Sequence, residues 1–136
     1  MVFLLWMEQI TLVRVPYTEK SIHHKLQWLG LSLGLFGERD KDKSCFRIFI
    51  ELLKAAKQKS GLSSDELAQC TKLSRGTVVH HLNRLLEAGI VKNNRNTYAL
   101  RADSLQLLIE ELQRDTARTL DVLAKVAKEL DTALGI

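Results

Sequence analysis

From Ser74 onward the chain sets out side chains suited to reading and holding a polyanion. Arg75 carries a planar fork of donors that matches the acceptor edge of guanine, and Asn83 carries the donor–acceptor pair that matches adenine. Ser74 and Thr77 bring hydroxyls to the start of the same segment, where a helix N-terminus would add free N–H groups for a phosphate. Arg84 suits a phosphate oxygen, and His80 adds a further polar side chain to the same stretch. Arg95, a little further on, suits a narrow minor groove, whose negative potential holds arginine. Chemistry that makes or breaks bonds has no such support. The chain has no phosphate loop, no nucleophile elbow and no His-Glu metal motif on a helical pattern, so no enzymatic activity is expected.

These residues need a scaffold, and the surrounding sequence describes one. Two short helical patterns, Ser64 to Thr71 and Ser74 to Ala88, are separated by a turn around Thr71, Lys72 and Leu73. Ser74 can cap the second by accepting a hydrogen bond from an orphan N–H of the first turn. Val78, Leu82, Leu85 and Leu86 recur at helical spacing as its apolar stripe, and Arg75, Val79, His80, Asn83 and Arg84 fall on other faces. Gly89 can take the left-handed conformation that ends a helix. Two β-like runs follow, Ile90 to Lys92 and Thr97 to Leu100, with "NNRN" between them as a hairpin tip, since Asn tolerates positive φ. Helix, turn, helix, hairpin is the layout of a winged helix, whose second helix enters the major groove.

The segment "LSRGTVVHHLNRLLEAGIV" resembles the recognition segment of ArsR-type winged-helix transcription regulators, and more loosely that of MarR-type ones. The resemblance runs from about Ser44 to Arg101. It is carried by Leu73-Ser74, Thr77-Val78, His81-Leu82, Leu85 and Ala88-Gly89-Ile90. It implies sequence-specific binding of double-stranded DNA by a dimer. It also implies that His81 packs at the base of the helix as a structural residue. Val79 stands where such regulators often carry a small polar residue; it suits either a thymine methyl or contact with protein. The metal-sensing branch has paired cysteines in the helix before recognition, and here that helix has only Cys70, so the resemblance does not extend to metal sensing.

Charge follows the same division. Residues 1–40 carry four basic and four acidic groups, residues 41–101 twelve and five, and residues 102–136 four and seven. The net charge of +4 therefore comes from the middle segment, where neutralising phosphates requires it. Residues 41–101 are expected to form the DNA-binding domain, with residues 1–40 an N-terminal arm and residues 102–136 a dimerisation helix. Apolar residues make up 46% of the chain, enough for a real core. Cys45 and Cys70 lie on apolar-rich helical patterns and read as buried thiols in a reducing compartment. His23, His24, His80 and His81 offer no pair at zinc-site spacing, so neither a metal nor a cofactor is expected.

In the arm, "MVFLLWM" is too short to span a membrane, which takes about 20 apolar residues, and lacks the shape of a secretory signal. A cytoplasmic protein is expected. Ile10 to Val15 reads as a strand, Pro16 as a break, and Thr18 to Leu29 as an amphipathic helix; glycines interrupt the pattern from Gly30 and place the core boundary near Asp40. Ser44 to Lys57 is the first core helix, with Phe46, Phe49, Leu52, Leu53 and Ala56 inward and Ile48 and Ile50 off that stripe, as in a helix covered on two sides. Gly61 and Leu62 lead to the next helix through a single strand-like pair.

Asp103 to Leu134 is the longest helical pattern, roughly 48 Å if continuous, closed by Gly135. Leu105, Leu108, Leu112, Thr116, Leu120, Leu123, Ala127, Leu130 and Leu134 step along it by three or four. A winged helix cannot cover so long a stripe, and a second copy of the chain is the simplest partner; folding back on the arm is the alternative. The expected dimer contacts are Leu105, Leu108, Leu112, Leu120, Leu123, Ala127 and Leu130. Glu110, Glu111 and Asp115 read as a solvated face. The fold class is thus mainly α with a small β-hairpin wing, a winged helix-turn-helix with an N-terminal arm and a long C-terminal helix. The function that fits is DNA-binding transcription regulation as a homodimer. An adaptor that binds protein is the second reading, and its sign would be an apolar recognition face. No convergent polar cluster marks a small-molecule effector site.

Overall fold

A serine caps four of the five helices among the described residues of the computed structural model, which are Leu12, residues 21–35 and residues 42–136. The helices are α1 (Ile22–Ser32), α2 (Ser44–Lys57), α3 (Ser64–Thr71), α4 (Arg75–Glu87) and α5 (Leu105–Leu134); strands β1 (Val91–Asn94) and β2 (Thr97–Leu100) lie between the last two. At α3, Ser63 accepts from the Glu66 N–H, while the Glu66 carboxylate accepts from the Ser63 N–H, a reciprocal capping box. Ser74 and Ser104 accept from the Thr77 and Leu107 N–H groups.

Helix α2 is the centre of the core. Ile48, Phe49 and Leu52 are fully buried, and the helix packs against α3, α4 and β2. Burial of Ile48 beside the Phe49–Leu52 stripe agrees with a helix covered on two sides, while Ile50, Leu53 and Ala56 are half-buried. Leu67 of α3, Val78, Leu82 and Leu85 of α4, and Leu108 and Leu112 of α5 close around it.

The hairpin pairs Val91 with Leu100 and Asn94 with Thr97, antiparallel. Leu62 adds one bridge to Tyr98, through Leu62 N–H to Tyr98 C=O at 2.9 Å and its reciprocal at 2.7 Å, the short pair expected beside Gly61. A Cβ at Gly61 would stand 2.9 Å from the Thr97 Cβ, so only glycine lets the chain approach this closely.

Several expectations are corrected. The helix expected to stop before Gly30 continues through it to Ser32, and Gly30 is buried. Interior glycine costs a helix about 1 kcal/mol; here Leu26, Leu29, Leu31 and Leu33 pack against the core and offset it. Strand β1 is displaced toward the tip, leaving Ile90 buried ahead of it, and the turn is Arg95–Asn96. The residue with positive φ there is Arg95, at 60°, not an asparagine. Cys45 is buried but Cys70 is exposed. Helix α3 buries only Leu67 and Thr71, with Ala68 half-buried, and Cys70 lies roughly 100° around the helix from that stripe. The strand expected at Ile10–Val15 (apart from exposed Leu12), the start of the Thr18–Leu29 helix and the boundary near Asp40 lie outside the described residues.

Candidate nucleic-acid interface

The recognition candidate α4 is held from one side and open on the other. Val78, Leu82 and Leu85 fix it to α2, while Arg75, His80, Asn83, Arg84 and Glu87 are exposed. Thr77 and Val79 are half-buried, as is His81, which fits a residue at the base of the helix. The Ser74 hydroxyl donates to Thr77 Oγ1 at 2.8 Å while accepting from the Thr77 N–H at 3.2 Å. The two hydroxyls therefore form one unit at the helix start, where backbone N–H groups and the helix dipole favour an anion.

Arg75 Nε lies 3.5 Å from Asp65 Oδ1 on α3, with both side chains largely exposed. Such a pair contributes little to stability, but it ties down one nitrogen and leaves the terminal ones for another acceptor. Asn83 and His80 share the outward face with Gly76, where an added Cβ would meet nothing within 4 Å. Arg84 departs from this group: it lines a small depression with Leu33, Gly34, Cys45 and Ala88, beside the end of α1. Arg95 stands exposed at the hairpin tip. The structure thus brings Ser74, Arg75, Thr77, His80 and Asn83 together on or beside the open side of α4, places Arg84 on its flank, and sets Arg95 apart on the wing. Two exposed cations that sequence reasoning passed over, Arg47 and Lys72, stand at the turn leading into α4. A basic residue inside the helix-helix turn was the available signal.

The hairpin is strapped to α5 by Arg101. Its Nη1 donates to Asp115 Oδ2 at 2.6 Å and its Nε lies 3.1 Å from Glu111 Oε2; Nη1 also reaches the Gly89 carbonyl at 3.4 Å, at the end of α4. Asp115 is buried, and Arg118 approaches its other oxygen at 3.4 Å. Asp115 and Glu111 are accordingly not the solvated face expected: they anchor the helix. The hydrogen bond to Asp115, aided by the two carboxylate charges and opposed by burial, raises the Arg101 pKa above its ordinary value.

On α5, Leu108 is 0% and Leu112 7% exposed and Leu105 is half-buried against the core, so these three are covered within their own chain. This corrects the expected dimer face, because the winged helix reaches further along α5 than the stripe alone suggested. Beyond Thr119 the helix is exposed, and Leu120, Leu123, Leu130 and Leu134 are 58%, 52%, 53% and 68% accessible, with Ala127 among them.

Among the described residues no group of three or more His, Cys, Asp or Glu is placed to hold a metal ion, and no helix is long and apolar enough to cross a membrane. Residues 42–93 match the family model of a helix-turn-helix domain. No curated protein and no solved structure matches. The fold is that of a winged helix-turn-helix, and the match places a helix-turn-helix domain within it, which suggests binding to DNA. The matched domain spans α2 to the first part of the wing and does not distinguish ArsR-type from MarR-type regulators.

Proposed function

We propose that the chain is a sequence-specific, double-stranded DNA-binding transcription regulator that acts as a homodimer, with α4 in the major groove and the hairpin wing at the minor groove. The observation that carries this reading is the exposed polar and basic side of α4 on a helix-turn-helix domain, with an exposed arginine at the wing tip. Arg75 and Asn83 read base edges; Ser74, Thr77 and Arg84 hold phosphates; Arg95 enters the minor groove. The α4 segment is read as that of an ArsR-type regulator on its sequence resemblance. The division into arm, DNA-binding domain and dimerisation helix goes with this reading.

The dimer is supported by the uncovered half of α5. At 100° per residue, Leu120, Val122, Leu123, Val126, Ala127, Leu130 and Leu134 span an arc of about 160°, on the side that buries Leu108 and Leu112 in cis. An open apolar groove of ≈ 410 Å³, lined chiefly by Leu33, Ile109, Leu112, Thr116, Ala117 and Leu120, continues that face toward α1. An adaptor function would call for an apolar face on α4; its exposed residues are instead Arg75, Gly76, His80, Asn83, Arg84 and Glu87. Gel shifts of the purified protein on genomic fragments, followed by footprinting, test the proposal. Protection of a two-fold symmetric site is expected, and absence of any retained fragment would reject it.

A further inference from the structure

All four non-glycine residues with positive φ among the described residues are basic: Lys43, Lys59, Lys72 and Arg95. Two of them bracket α4. Lys72 closes α3 in the turn before it, and Arg95 sits at the tip of the hairpin after it. Left-handed backbone at the end of a helix is ordinarily taken by glycine, because a Cβ there crowds the following carbonyl. The Lys72 side chain is exposed and has no hydrogen bond or ion pair among the described residues. Its backbone conformation is therefore costly for lysine, and its ammonium returns nothing to the fold.

A second cation is directed to the same turn. Arg47, exposed on α2, donates through Nη2 to the carbonyl of Thr71, the residue preceding Lys72. This ties down one of its five N–H donors and places the guanidinium against the turn. No acidic side chain pairs with Arg47 or Lys72 among the described residues. Ser74, Thr77 and the start of α4 follow within a few residues. We propose that Lys72 and Arg47 form a clamp on a DNA backbone phosphate at the turn, with Lys72 the direct contact. The inference rests on the DNA-binding reading of α4. The clamp seats the duplex on one side of α4 as Arg95 seats it on the other, and carries no base preference itself.

Lys72→Gly is the decisive variant, because it removes the charge while relieving the backbone, so the fold is kept. Its unfolding midpoint is expected to rise by about 3 °C. Its affinity for a mixed-sequence duplex is expected to fall about eightfold at 0.1 M salt, and the slope of log K against log salt to shrink by about 0.9, the signature of one lost phosphate contact. Lys72→Arg should retain the slope, and Arg47→Ala should reduce it. Lys72→Gly with unchanged affinity, or with a loss equal at every salt concentration, overturns the clamp. Wild-type protein that binds no duplex at all overturns the DNA reading beneath it as well, which separates the two failures.

Discussion

Arg75 leaves α4 with Nε beside Asp65, which leaves its terminal nitrogens for another acceptor. If those nitrogens read a guanine, Arg75→Ala costs about 1–3 kcal/mol on the specific site and blurs one position of the preference. Competition gel shifts across single-base variants of the site are the measurement, and equal weakening on all sequences would reassign Arg75 to a phosphate. Ser74→Ala acts differently. It removes the cap of α4 and is expected to lower stability by about 1 kcal/mol in urea unfolding whether or not DNA is present. Residues of this kind were legible in the sequence because capping is local: Ser74, Gly89 and Gly135 all do what their immediate neighbours require. Asp115 and Cys70 were not. A helical repeat says which residues share a face, but not where a neighbouring element stops covering it. Arg101, the partner of Asp115, lies fourteen residues away, just past the end of β2.

At the scale of elements, the Arg101 strap decides how the long helix leaves the domain. One guanidinium touches the end of α4, through Gly89, and two carboxylates of α5. Removing one member of a buried pair leaves the other uncompensated, which costs roughly 3–5 kcal/mol when burial is complete. Arg101 is one-quarter exposed and keeps Glu111, so Asp115→Ala is expected to cost about 2 kcal/mol in chemical denaturation. A change within a few tenths would show that the strap is incidental. Because the Arg101 pKa is raised in the folded protein, its contribution is fully present below the ordinary arginine range and is lost only as pH climbs past the raised value. The guanidinium therefore keeps its charge, and its side of the strap, throughout neutral solution. The wing was half legible. Its two runs stood out by composition, but the turn residue did not, because positive φ at Arg95 runs against the usual preference for Gly or Asn. If Arg95 enters the minor groove as proposed, Arg95→Ala should weaken sites with A·T-rich flanks more than G·C-rich ones. A loss independent of flank sequence would leave it a backbone contact.

For the whole molecule the open question is what covers the last half of α5. Stripe periodicity predicted a single apolar seam from Leu105 to Leu134, and the structure divides it: the winged helix buries the seam to Leu112 and lets it go after Thr119. The proper probes of a dimer are therefore Leu123 and Leu130, which are seven residues apart on one face and about half exposed. Leu112 would report on the core of its own chain instead. Full burial of a leucine is worth roughly 1.5–3 kcal/mol, and a two-fold interface counts each substitution twice. Replacing both with Lys should therefore convert the dimer to monomer in sedimentation at unchanged helical circular dichroism, since neither side chain contributes to the buried core. DNA affinity should fall with it, because a dimer spanning two half-sites gains the second contact at high effective concentration. A double variant that still sediments as a dimer would move the interface to the groove lined by Leu33, Ile109 and Leu120. One that loses its helical signal would mean that the seam closes on its own chain. Wild-type protein that sediments as a monomer while binding a single half-site with full affinity would reject the homodimer and leave the winged helix to act alone.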